Sequence, residues 1–168
     1  ELHEKALRLL QLENDLRHAI DRKEFAIHYQ PIISLTQEHT LGFEALVRWE
    51  HAEHGMVAPA EFVTIAEETG MIAPLGYWIL EEVCRQIALW NNEFRGSAPT
   101  VSVNISGKQF LQRDFVKRLS AILVEYGVDP SCLKIEIAET VVLENAAAVR
   151  KGLEELHDLG IELWIADF

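Results

Sequence analysis

Apolar and polar positions along the chain follow two rhythms, and the switches between them predict the elements. Residues 1–20 place Leu2, Leu9 and Leu16 seven apart, with Leu12 and Ala19 in the alternate seam and Glu13 four residues before Arg17, which predicts a helix. Lys5 interrupts the seam, so a docking or connector helix is expected rather than an independent coiled coil. β-Branched and aromatic runs predict strands over 25–35 and 40–49, and the short polar connection 36–39 makes them an antiparallel hairpin. Beyond Gly55, Pro59 suits the first position of a helix whose stripe is Phe62, Ile65 and Ala66 and whose stop is Gly70. A second helix follows from about Leu75, with Ile79, Leu80, Val83, Cys84, Ile87 and Trp90 at helical spacing as core.

From Thr100 the rhythm becomes strand (100–105), helix (115–126), strand (133–137), helix (142–159) and strand (161–165), with Gly127 and Gly160 ending the helices. Such alternation requires parallel pairing with crossover helices, as in an α/β barrel or an open doubly wound sheet. No GxGxxG or GxxxxGK[ST] follows a strand, so neither familiar nucleotide loop is supported. Because Asp167-Phe168 follow a strand with no covering helix, residues 21–168 are expected to be the N-terminal portion of a longer domain.

Composition narrows the function. With 168 residues, 49% hydrophobic, the chain can bury a core, and its net charge of -12 opposes both polymeric nucleic acid and an anionic membrane surface. Cys84 and Cys132 form no CxxC pair, so neither a disulfide framework nor a zinc knuckle is indicated, and a reducing cytoplasm is expected. No apolar run approaches the roughly 18 residues that span a bilayer, so no membrane contact is expected of this segment, even within a membrane-anchored protein.

Candidate chemistry gathers at strand ends. Phe43–Trp49 sets Glu44 and Arg48 into an apolar run, and Asn104, Glu136 and Asp167 end the later strands. Taken singly, each reads first as a solvated strand end. Together, carboxylates and an amide oxygen without cysteine suit a hard divalent cation, Mg²⁺ or Mn²⁺, better than zinc, and in a parallel α/β barrel those ends form the active face. His51 and His54, beside Glu50 and Glu53, read as a surface pair.

Five separated motifs resemble the EAL domain of bacterial cyclic di-GMP phosphodiesterases: Tyr29-Gln30-Pro31-Ile32; Glu44-Ala45-Leu46 with Arg48-Trp49; Pro59 with Phe62 and Ala66-Glu67; Val103-Asn104-Ile105-Ser106; and Glu136-Ile137-Ala138-Glu139-Thr140. The resemblance implies a modified TIM-type (β/α)8 barrel with an antiparallel first strand, incomplete in this chain. It also implies hydrolysis of cyclic di-GMP to linear pGpG with a pair of Mg²⁺ or Mn²⁺ ions. By position, Glu44, Asn104, Glu136 and Asp167 resemble metal ligands, Asp167 also counting as catalytic. Glu139 resembles the acidic residue that steadies an active-site loop, while Gln30 and Arg48 resemble contacts to base and phosphate.

Two departures temper that expectation. The family's paired aspartates read Ala166-Asp167 here, and a methyl group cannot coordinate a cation, so weakened or single-metal occupancy is expected. The family's catalytic lysine lies beyond Phe168, so these residues alone are expected to be inactive. The alternative is a degenerate EAL domain that senses cyclic di-GMP or a protein partner. An upstream sensory or GGDEF-type domain, reached through residues 1–20, and a homodimer are the further partners that the resemblance implies.

Overall fold

A computed structural model describes residues 2–36, 40–94 and 98–166, with the side chains of residues 2–6 outside that description. The elements run α1 (Leu2–Ala19), β1 (Phe25–Ile33), β2 (Thr40–His51), β3 (Gly55–Val57), α2 (Pro59–Thr69), α3 (Ile72–Glu93), β4 (Thr100–Asn104), α4 (Gly107–Phe110), α5 (Phe115–Tyr126), β5 (Leu133–Ala138), α6 (Glu139–Glu144), α7 (Ala146–Leu159) and β6 (Glu162–Ala166). A 3-10 turn at Pro130–Cys132 leads into β5.

One mixed sheet holds the strands in the order β1-β2-β4-β5-β6, with β3 paired to β2. β1 is antiparallel to β2, from Phe25 opposite Trp49 to Ile33 opposite Thr40, as the short connection demanded, although residues 37–39 lie outside the described ones. β2, β4, β5 and β6 are mutually parallel, so their carboxyl ends gather at one edge of the sheet. This is the arrangement of an incomplete α/β barrel.

Period-two alternation divides the sheet into two chemically distinct faces. Ala45, Trp49, Val101, Val103, Leu133, Ile135 and Ile137 are buried on one face in a core shared with the helices, where α3 supplies Leu80, Val83 and Ile87 and α5 supplies Leu119. On the other face, the pairing register puts Gln30, Glu44, Ser102, Lys134 and Glu162 in one row and Asn104, Glu136 and Trp164 in the next. The sequence therefore places oil toward the helices and polar groups toward what would be the barrel interior.

Several boundaries differ from the sequence expectation. β1 stops at Ile33 and β2 runs on to His51, because the short strand β3 prolongs its pairing. α3 begins at Ile72 rather than near Leu75, since Pro74 falls in the first turn, where a missing N–H costs nothing. The helix expected over 142–159 is two helices, broken at Asn145, whose backbone leaves the helical region while its side-chain amide donates to the carbonyl of Val141 at 3.3 Å.

The reading of His51 and His54 as a surface pair is corrected. His51 is only 4% exposed, its ring packed edge-on to Trp49, and its Nε2 lies 3.1 Å from Asp15 on α1. That partner lies far away in the chain, so local spacing gave no sign of it. α1 is docked by Leu12, Leu16 and Ala19, all buried, whereas Leu9 of the expected seam is exposed. Among the described residues no helix is long and apolar enough to cross a membrane.

Candidate active site

Glu44 and Asn104 meet at the carboxyl edge of the sheet, where the amide nitrogen of Asn104 donates to Oε1 of Glu44 at 2.8 Å. An amide facing a carboxylate must turn its nitrogen toward it, and this turns Oδ1 the other way. That oxygen is buried and accepts no hydrogen bond among the described residues. A buried acceptor without a donor is costly. Glu136 pairs in register with Asn104 on the neighbouring strand and is 8% exposed. Burial raises the Glu136 carboxyl above its ordinary value and the Glu44 charge adds to the rise, against the Ser102 hydroxyl and Lys134. The hydroxyl lies near enough to favour the ionised carboxylate but makes no full hydrogen bond.

Two crowded carboxylates and an orphaned amide oxygen form a donor set for a hard cation. A cation would satisfy Oδ1 and relieve the repulsion between Glu44 and Glu136. Among the described residues there is no cluster of three His, Cys, Asp or Glu side chains able to hold a metal, so the amide oxygen is needed to complete this set. Asp167 lies outside the described residues. Ala166, paired with Ala138, ends β6 on the same face as Glu136, one row nearer the strand ends, and offers only a methyl group.

Beside these groups opens a cavity of about 540 Å³, walled by Glu44, Leu46 and Arg48 of β2, Pro59 and Glu67 of α2, and Asn104. The strand carrying Glu44 pairs with β4 only as far as Ala45 opposite Val103, and its continuation toward Arg48 leaves the gap that α2, α3 and α4 cover. The Arg48 guanidinium donates to the carbonyl of Val47 at 3.0 Å, and no carboxylate pairs with it among the described residues. Gln30 stands opposite Glu44 on β1, exposed and outside the cavity lining. Glu139 opens α6, is exposed, and forms no hydrogen bond or ion pair with a described residue, although its neighbours Ala138 and Thr140 line the cavity.

Sequence reasoning missed most of the cavity wall. Pro59 entered only as a helix start and, with Glu67, as part of a motif, Ile72 fell before the expected helix, and Gly76 and Ile79 fell inside it without a site role, yet all five line the cavity. A Cβ at Gly76 would collide with the side-chain amide of Gln109, itself buried at 1% exposure, so a larger residue there needs that amide to move. Cys84 is no candidate nucleophile, because burial, with a lesser push from Glu81, raises its thiol to about 12.

Divalent-cation affinity is expected to climb as pH rises through the raised range of Glu136, because proton and cation compete for one carboxylate. Without cation the sign reverses for stability. A carboxyl raised on folding favours the folded chain below its unfolded value, and that contribution is lost as pH rises through the folded one. Thermal melts with and without Mn²⁺, from below the carboxylate range to neutrality, should therefore diverge with rising pH.

Comparison with known proteins gives the family and the fold. The model of the EAL domain family matches residues 13–168. The chain is 38% identical over 160 residues to the bifunctional diguanylate cyclase/cyclic di-GMP phosphodiesterase MucR of Pseudomonas aeruginosa, covering 95% of the chain and 23% of MucR. It is 33% identical over 168 residues to the cyclic di-GMP phosphodiesterase PdeR of Escherichia coli, covering 100% of the chain and 25% of PdeR. The solved structure of the PaMucR phosphodiesterase in complex with c-di-GMP superposes with a TM-score of 0.89 at 37% identity, over 94% of this chain and 64% of that one. The chain thus spans about a quarter of the length of these two curated relatives.

Proposed function

The chain belongs to the EAL domain family, and from that premise we propose that its cavity and strand-end carboxylates form a cyclic di-GMP phosphodiesterase-type site that depends on a divalent cation, Mg²⁺ or Mn²⁺. One observation carries this reading: Glu44 takes the amide nitrogen of Asn104, whose Oδ1 is left buried and without a hydrogen-bond donor among the described residues, on the strand that pairs Asn104 with Glu136. Glu44, Asn104 and Glu136 would hold the cation, with Asp167 as a further ligand. A cation held there supplies Lewis acidity toward the phosphodiester and toward water.

The side chains supply position and charge. Arg48, on the cavity wall and without a carboxylate partner among the described residues, receives a phosphate of the ligand. The apolar wall of Leu46, Val63, Leu75 and Ile79 shelters a base from water, and Gln30, on the rim side of Glu44, contacts a base edge. Hydrolysis adds one water across one phosphodiester. A P–O bond to the water oxygen forms, the P–O bond to a ribose oxygen breaks, and that oxygen takes a proton, giving linear pGpG. Glu139, at the start of α6, takes its loop-steadying role from its place in the family motif, beside the segment 138–141 that borders the cavity, and makes no hydrogen bond or ion pair with a described residue.

Ala166 favours a second reading, in which the site binds cyclic di-GMP without turnover and reports that state to another domain. Incubation of the complete domain with cyclic di-GMP and Mn²⁺, followed by chromatography for pGpG, separates the two. Turnover that disappears in Glu44→Ala supports the hydrolase. Tight binding without pGpG supports the sensor, and an absence of both would refute the assignment of this cavity.

A further inference from the structure

α1 lies outside the site yet grips both of its walls. Near the C-terminal end of the helix, Asp15 Oδ2 meets Nε2 of His51 at 3.1 Å. The other ring nitrogen, Nδ1, accepts the backbone N–H groups of Glu53 at 3.1 Å and His54 at 3.2 Å. Two donors on Nδ1 leave the ring proton on Nε2, so the ring donates to Asp15. Burial works against the ionised Asp15 carboxylate, but hydrogen bonds from Arg22 and His51 outweigh it and hold the carboxyl below its ordinary value. His51 closes β2 just beyond Arg48, and the neighbouring Trp49 donates through Nε1 to Glu24 at 2.9 Å.

Toward its N-terminal end, α1 grips the other wall. Arg8 binds both carboxylate oxygens of Glu61, at 3.2 and 3.1 Å, and Glu61 sits in the first turn of α2, whose Pro59, Ala60, Val63 and Glu67 line the cavity. Between these grips, Gln11 donates to Glu53 at 2.6 Å. An exposed ion pair contributes little by itself. Here it acts with a buried His–Asp contact and the apolar seam of Leu12, Leu16 and Ala19, so α1 cannot leave without releasing the end of β2 and the start of α2 together.

We infer that α1 is a regulatory lever on the cavity. Docked, it fixes β2 and α2 at the spacing that receives the cyclic dinucleotide, and undocked, it lets them part. The ligand named here rests on the function proposed above, whereas the mechanical coupling does not.

The test uses the full chain with Arg8→Glu, which repels Glu61, combined with Asp15→Ala, and reads hydrogen exchange by segment beside calorimetric binding of cyclic di-GMP. Amides of 44–51 and 59–67 are expected to exchange at least about tenfold faster while β4 and β5 keep their protection, and affinity is expected to fall about tenfold. Adding Glu61→Arg to restore the pair with reversed sign should recover part of both effects. Faster exchange confined to α1 overturns the lever, and so does loosening of both walls with unchanged affinity. If both walls loosen in a chain that never binds cyclic di-GMP, the mechanical coupling is supported and the ligand assignment fails.

Discussion

Ala166→Asp raises the affinity for Mg²⁺ or Mn²⁺ by about 10- to 100-fold, the range that partners of a metal site typically control. The position ends β6 in register with Ala138, on the sheet face that also carries Glu136 and Trp164. A carboxylate there joins two carboxylates and one amide oxygen, where hard cations take six or more oxygens. In the complete domain with cation present, turnover should rise at least as steeply, because a better-held cation places more Lewis acidity at the phosphodiester. With cation removed the sign reverses: a third negative charge beside Glu44 and the already raised Glu136 destabilises the fold, so the melting temperature in chelator drops. Calorimetric titration with Mn²⁺ decides the matter, and unchanged affinity would remove Ala166 from the metal account.

Arg48→Ala lowers cyclic di-GMP affinity by about 10- to 100-fold, the loss of a charged hydrogen bond of about 1.5–3 kcal/mol. A chain of net charge -12 repels an anionic ligand, so each unpaired cation on the cavity wall counts for more than it would on a neutral surface. Arg48 is such a cation, half-buried and bonded only to the carbonyl of Val47 among the described residues. Removing it takes away no ion pair with a described residue, so the fold should survive. Arg48→Lys should recover only part of the affinity, because an ammonium lacks the planar fork that fits phosphate. Binding isotherms of the two variants beside the parent give the comparison, and equal affinity in all three would place the phosphate elsewhere.

The strand ends were legible in the sequence because a charge inside an apolar run is conspicuous. Glu44 and Glu136 stand out by that logic, and the structure brings Glu44 against Asn104 and Asn104 into register with Glu136. The antiparallel pairing of β1 and β2 was also legible, since four residues cannot carry a crossover. The cavity was not. Its wall is made of residues such as Ile72, Leu75 and Ile79, whose spacing is the same whether a helix packs flush against the sheet or stands off from it. His51 was misread for a related reason, because its partner Asp15 comes from a helix that only tertiary docking brings near. The break at Asn145 turns on one side-chain amide reaching a carbonyl, a local competition that periodicity averages away.

The most direct test of the central claim is calorimetric titration of the full chain with cyclic di-GMP, with Mg²⁺ and with chelator, for the parent and for Glu44→Ala. The account predicts that the parent binds more tightly with the cation, and that Glu44→Ala abolishes this difference while retaining the weaker, cation-independent binding supplied by Arg48 and the apolar wall. A parent whose affinity is indifferent to cation, or a Glu44→Ala variant that keeps the full cation effect, would contradict it.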